Sequence, residues 1–317
     1  MKAIQFFAIT ALGAALFASC SNQEELATGS YPSDNLIRVT AGVNNDMTRS
    51  DEAVTPTPLT QNFSLTVVNN NNANFSYANE IFSLNGTEWR CDNKLLWQNL
   101  ATPVEIVALY PATDASTFSG VYTKENKSYG TITYGVNSDQ STADDDANDL
   151  LLYHNANFVP ENDLKAEKLD IQFNHAFCRV DIEVIIGSEF NASTGLAANP
   201  IQGIRVEGTK TTADISFASA EPFFTVTPSE SEDATSITPT PGNFTPAANA
   251  ANQAVARYSC IVIPQTADLK VLLHTSDREF EWTGSQMTLE SGKQYTLQLN
   301  MTNKSATARK FILRERM

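Results

Sequence analysis

Histidine is almost absent from this chain: His154, His175 and His274 are the only three among 317 residues. None stands at metal-ligand spacing from another or from a cysteine, so no metal site is expected. Basic residues are scarce too. Lys and Arg number 21 against 36 Asp and Glu, a formal charge of -15. That excludes nucleic acid as a partner, which requires a basic footprint. No glycine-rich phosphate loop or nucleophile elbow occurs, and nothing assembles a catalytic constellation. Neither enzyme activity nor a cofactor is expected. Helical spacing of apolar residues is nearly missing. The longest apolar run, Ile4 to Phe17, falls short of the ~20 residues that cross a bilayer.

Placed behind Lys2, that run reads as a secretory signal and not as an anchor helix. It ends at Phe17-Ala18-Ser19-Cys20 and gives way at once to Ser21-Asn22-Gln23-Glu24-Glu25. Small residues before a cysteine resemble a bacterial lipoprotein signal, in which Cys20 is acylated and becomes the new N-terminus. Residues 1–19 are then the signal peptide and 20–34 a lipidated tether, held to a bilayer by ~0.8 kcal/mol per buried CH2. Asn22, where an aspartate would be needed, gives no reason for inner-membrane retention, so an outer-membrane lipoprotein is implied. An ordinary signal peptide with a coincidental cysteine is the other reading. Beyond Cys20 stand Cys91, Cys178 and Cys260, an odd number that cannot all pair internally. Cys178 and Cys260 share a face with apolar neighbours, which predicts buried free thiols; one disulfide is the alternative.

Almost every apolar segment has period two. Ile37, Val39, Ala41 and Val43 alternate with Arg38, Thr40 and Gly42, the pattern of a half-buried strand. Comparable runs span residues 63–68, 104–109, 129–134, 169–173 and 177–186, and then 204–206, 213–217, 223–227, 258–263, 269–274, 280–282 and 295–301. Turn signals such as Asn69 to Asn72, Asn85-Gly86 and Ser291-Gly292 separate them. The expectation is an all-β chain of antiparallel β-sandwiches. The polar stretch Gly187 to Pro200 divides it into domains at 35–187 and 188–303, with a basic tail at 304–317. The apolar phase flips near His175, which predicts a β-bulge there with His175 as a hydrogen-bonded structural residue. Pro228 to Gln253 reads as a long exposed loop. Asp144 to Asp149 offers oxygen ligands at alternate positions but lacks the turn glycine and final glutamate of a calcium loop, and reads as a solvated acidic loop. Trp89, Trp97 and Trp282 are flanked by strand-like residues, so packing is expected of them before sugar stacking.

Five landmarks carry a family resemblance: Val107-Ala108-Leu109-Tyr110-Pro111, Asp149 to Tyr153, Phe173 to Val180, Ile261-Val262-Ile263-Pro264-Gln265, and Leu289 to Tyr295. With the lipoprotein signal, their order resembles the fimbrillin, or type V pilin, family of surface lipoproteins. The resemblance implies two transthyretin-like antiparallel β-sandwich domains in tandem. It also implies export of a lipidated precursor, followed by cutting after an N-terminal arginine by an arginine-specific extracellular protease. In Asn44-Asn45-Asp46-Met47-Thr48-Arg49-Ser50 the one basic residue is Arg49, which matches the family's cut and puts it between Arg49 and Ser50; a loop arginine of no special role is the other reading, and Arg38, inside a strand, is the poorer substrate. Cutting would release the strand bearing Ile37, Val39, Ala41 and Val43. A neighbouring subunit's strand would then fill the vacated groove by donor-strand exchange. The family's C-terminal donor would here be the tail, with Phe311 and Leu313 as alternate plugs; a frayed terminus is the other reading. The implied partners are other fimbrial subunits and a receptor on a host or bacterial surface, with the implied function a structural subunit for adhesion or biofilm formation. The place in the fimbria, whether stalk, tip or anchor, stays open. A monomeric surface lipoprotein binding glycans through its aromatic residues is the alternative function.

Overall fold

The computed structural model describes residues 31–44, 59–112, 122–123, 128–129, 131–142, 148–217, 224–303 and 305–315. Twenty-one strands follow in chain order. The first nine are β1 (Val39–Val43), β2 (Phe63–Val68), β3 (Tyr77–Asn85), β4 (Glu88–Cys91), β5 (Val104–Tyr110), β6 (Tyr122–Thr123), β7 (Ser128–Tyr129), β8 (Ile132–Gly135) and β9 (Leu151–Phe158). Next come β10 (Leu169–His175), β11 (Cys178–Ile186), β12 (Gly203–Thr209), β13 (Thr212–Phe217), β14 (Phe224–Pro228) and β15 (Thr235–Ile237). The last six are β16 (Thr240–Thr245), β17 (Ala254–Val262), β18 (Gln265–His274), β19 (Glu279–Leu289), β20 (Lys293–Met301) and β21 (Ala306–Glu315). The fold is all-β, with its sheets stacked as sandwiches.

A seven-stranded sheet runs β1-β10-β9-β5-β2-β3-β4. A five-stranded sheet (β16-β17-β11-β20-β21), a four-stranded sheet (β15-β12-β18-β19) and a three-stranded sheet (β14-β13-β8) make up the second half, and β6 pairs with β7. The ladders among the described residues are antiparallel with two exceptions: β1 runs parallel to β10, and β11 runs parallel to β20.

The seven-stranded sheet explains why β5 reads Val-Glu-Ile-Val-Ala-Leu-Tyr with hardly a polar residue. Its even-numbered residues Val104, Ile106, Ala108 and Tyr110 enter one core with Phe63, Trp97, Phe158 and Phe173. Val107 and Leu109 enter a second core with Ile182, Val206, Val271 and Leu297. A strand covered on both faces loses the need for polar alternation. Aromatic rings fill the first core: Phe63 stacks on Phe82 with centroids 5.3 Å apart, and Trp97 stacks on Phe158 at 5.6 Å.

The phase flip near His175 is a crossing between sheets, where a bulge was expected. Phe173 closes the first core, while Ala176, Phe177 and Cys178 already belong to the second. At the crossing His175 Nδ1 lies 2.7 Å from Asp149 Oδ2, both largely buried, so the histidine is hydrogen-bonded. β11 lies between β17 and β20, and β8 pairs with β13, so segments from before residue 187 complete the later sheets. The stretch 228–253 is likewise more than a loop: β15 adds to β12, burying Ile237, and β16 adds to β17. Short strands at sheet edges need few large side chains, which hides them from a hydrophobicity reading. The run around 129–134 is split between β7 and β8.

Two glycines are demanded by backbone geometry. Gly86 (φ 67°) opens the two-residue turn between β3 and β4. Gly208 (φ 89°) sits where the β12–β15 register shifts, and a Cβ there would meet Asp268 O.

One buried polar side chain ties the halves together. Gln140 Nε2 donates to Ile261 O (2.9 Å), and Ile261 N donates to Gln140 Oε1 (2.9 Å), so an amide side chain serves as a strand partner. Gln140→Leu leaves both backbone groups buried and unpaired, at about 1–3 kcal/mol for each. Urea denaturation of this variant is expected to show a loss of at least about 2 kcal/mol; a change below about 0.5 kcal/mol would show that water replaces the amide.

Candidate assembly edge

The first and last strands of the described chain both lie at sheet edges. β1 pairs with β10 in register from Val39↔Leu169 to Val43↔Phe173. The ladder is framed by Leu169 N donating to Arg38 O (2.8 Å) and Asn44 N donating to Phe173 O (2.7 Å). Alternation turns Ile37 (7 % exposed) and Val39 (5 %) into the first core, with Ala41 and Val43 half-buried against it. The four residues expected on the inward face of this strand therefore share that face.

Polar contacts dress its outer face. Thr40 Oγ1 donates to Asp170 Oδ1 (2.9 Å), and Asn44 Nδ2 donates to Asn174 Oδ1 (3.1 Å). Burial opposes ionisation of Asp170, but hydrogen bonds from Lys165, Gln172 and Thr40 outweigh it and hold the carboxyl below its usual range. Arg38 grips Asp34 with two bonds, Nη2 to Oδ2 at 2.6 Å and Nη1 to Oδ1 at 3.0 Å. The Arg38 hydrogen bonds lower the Asp34 carboxyl to about 2. Arg38 is thus engaged on a hydrogen-bonded strand, the setting in which a backbone resists a protease cleft. The residues expected to be lipidated or cut, Cys20, Arg49 and Ser50, lie outside the described residues, as does most of the acidic stretch 144–149.

At the other terminus β21 pairs antiparallel with β20 over its length, from Met301↔Ala306 to Lys293↔Glu315, with a register shift at Gln298/Leu299. The segment expected as a tail at 304–317 is mostly an edge strand of its own subunit. Sequence showed its apolar alternation only at Phe311 and Leu313. Register carries the pattern further, setting Phe311 opposite Leu297 and Leu313 opposite Tyr295. Leu313 is nevertheless 52 % exposed, although Tyr295 beside it is buried.

The other groups tested for chemistry are held structurally. His154 Nε2 lies 2.7 Å from Glu105 Oε1, His175 meets Asp149 as above, and His274 is exposed. Among the described residues no group of three metal-ligating side chains occurs. Cys178 and Cys260 are buried thiols outside any disulfide, Cys178 Sγ donating to Val262 O (3.1 Å), and Cys91 is a half-buried thiol whose pKa burial pushes up. Trp97, 2 % exposed, is core; Trp89 meets Phe63 edge-on at 4.9 Å; Trp282 packs on the other core. The three indoles share no surface on which a sugar could stack.

Among solved structures, a proposed cell adhesion protein from Bacteroides uniformis superposes with a TM-score of 0.60 at 12 % identity, covering 90 % of this chain and 100 % of its own. Another, from Bacteroides ovatus, gives 0.57 at 17 % identity, covering 91 % and 99 %. A fimbrial protein from Bacteroides vulgatus gives 0.51 at 14 % identity, covering 80 % and 93 %. At such identities these likenesses establish the fold. Comparison with curated proteins gives no match. The model of one family, described as fimbrillin-like, matches residues 40–311, from the second residue of β1 into β21. Reaching from β1 into β21 and covering everything between them, that match establishes that the chain belongs to the fimbrillin-like family.

Proposed function

We propose that this chain is a structural subunit of a bacterial cell-surface fimbria, acting in adhesion or biofilm formation. It is exported as a lipoprotein acylated at Cys20, cut between Arg49 and Ser50 by an arginine-specific extracellular protease, and polymerised by strand exchange with other fimbrial subunits. The family match supports the fimbrial part of this reading. What supports the exchange part is β1. It is a terminal strand of the sheet, held by a single ladder of five residue pairs, and it leads through Asn44 toward Arg49.

The energetics make β1 both removable and missed. Burying Ile37 and Val39 contributes roughly 1.5–3 kcal/mol each. Once the link is cut, those contacts are no longer covalently tied to the rest of the sheet. Departure of β1 uncovers the β10 edge and the apolar slots that Ile37 and Val39 filled. An unpaired edge beside an apolar groove is a template for another chain's strand. Because donor and acceptor surfaces differ, the joint is head-to-tail and propagates as an open filament. In this reading β21 is the donor, and it exchanges its ladder on β20 for one on a neighbour. The cis ladder then competes with polymerisation and keeps the free subunit soluble.

Three experiments test the scheme. N-terminal sequencing of mature surface material is expected to begin at Ser50; an acylated Cys20 on polymerised subunits would overturn it. Arg49→Ala is expected to accumulate a lipidated monomer, so heat-labile multimer ladders on gels should vanish. Truncation after Asn303 removes β21 and strips the β20 edge. The purified subunit should lose about 5 °C or more in Tm, and surface fibres should shorten or disappear. Fibres of normal length from that truncation would exclude β21 as donor.

A further inference from the structure

Three turns meet where β20 hands the chain to β21. One is the short 3-10 turn Ser188–Phe190 after β11, the second joins β18 to β19, and the third is closed by Thr302 and Ser305. The buried ring of Phe280 gives the first two a common base. Phe190 meets it edge-on at 6.1 Å, and the Arg278 guanidinium lies over it, 5.9 Å from the centroid.

Two opposite charges from those turns close on a single backbone residue. Asn303 N donates to Glu189 Oε1 (2.9 Å), and Arg278 Nη1 donates to Asn303 O (2.6 Å). A carboxylate takes the N–H and a guanidinium takes the carbonyl, so both bonds are charge-assisted. Each charge is set in place beforehand. Arg278 Nε and Nη2 both donate to Asp277 Oδ2 (3.1 Å each), which leaves Nη1 for Asn303. Asp277 in turn accepts from Thr275 Oγ1 (2.9 Å), inside a turn closed by Thr275 N donating to Arg278 O (2.9 Å). Glu189 folds back over Gly187, where a Cβ would collide with the Glu189 carboxylate.

This grip sits where β21 is otherwise held least by its far end. Among the described side chains of the strand, only Ala306, next to the turn, is buried, while Leu313 is 52 % exposed. The turn itself is closed by Thr302 N donating to Ser305 O (2.9 Å). For β21 to reach another subunit this turn must open, and opening draws the Asn303 peptide away from both charges.

We propose that Glu189 and Arg278 form a latch on Asn303 that keeps β21 on its own subunit and governs how often the strand opens. Its bearing on assembly rests on the reading of β21 as donor, whose release it regulates. Arg278 and Asp277 are 48 % and 61 % exposed in their side chains, and Glu189 is exposed, so salt screens the latch.

Hydrogen–deuterium exchange on the purified full chain tests this, comparing the amides of β20 and β21 with those of the β11–β17 ladder. Glu189→Ala, Arg278→Met and Gly187→Ala are each expected to speed exchange in β20 and β21 about threefold or more. Gly187→Ala keeps both charges and acts by displacing the Glu189 carboxylate; φ of -60° at Gly187 suits alanine. Salt at about 0.5 M is expected to speed exchange in the unmodified chain and to leave Glu189→Ala with Arg278→Met unchanged. Unaltered exchange of β20 and β21 in these variants would overturn the latch, as would an equal rise in the β11–β17 ladder. Assembly after cleavage at Arg49 is scored separately. Faster exchange of β21 with unchanged assembly would overturn β21 as donor while supporting the latch.

Discussion

Burial of the central strands of the seven-stranded sheet on both faces is the constraint from which the other features follow. Val104, Ile106 and Tyr110 look into one core while Val107 and Leu109 look into the other. A sheet clamped in this way cannot offer a face to a ligand, and its middle strands cannot leave without breaking two cores. Only its edges are free to exchange partners. Edge strands are an aggregation hazard in most proteins. In the strand exchange proposed above, the same exposed hydrogen-bonding groups would serve assembly once uncovered.

The two ends of the chain supply that cover in different ways. β1 is parallel to β10 and short, with its grip reinforced by Thr40 and Asn44 reaching side chains on β10 and by the Arg38–Asp34 clamp before it. The clamp is solvent-exposed, and such pairs contribute little to stability in solution; the apolar residues Ile37 and Val39 carry the attachment. β21 is longer and antiparallel, yet its register slips once along β20, and Leu313 stays in solvent although its cross-strand neighbour is buried. The N-terminal strand is thus anchored by its side chains; on the C-terminal one Ala306 enters the second core.

Much of this was legible along the chain. The inward set Ile37, Val39, Ala41 and Val43, the burial of Cys178 and Cys260 outside any disulfide, and the structural role of His175 were all readable from neighbours along the chain. Other features were misplaced for one recurrent reason. The slip at His175 looks the same in sequence whether a strand bulges or the chain steps from one core into the next. β15 and β16 lie in a Ser-, Thr- and Pro-rich stretch because edge strands bury little, and β4 escaped notice although the Asn85-Gly86 turn beside it did not. No local pattern announces that Gln140 will stand in for a strand against Ile261, more than a hundred residues away.

By itself the sequence determined the all-β class and which side chains point inward, because alternation along a strand is a local steric consequence of its pleat. Tertiary structure alone decided which edges meet: β1 parallel to β10, β11 between β17 and β20, and β21 folded back on its own subunit. Those choices depend on hydrogen-bonding partners drawn from distant parts of the chain. A backbone N–H carries no mark of its eventual acceptor, so pairing is settled only when two cores fill together.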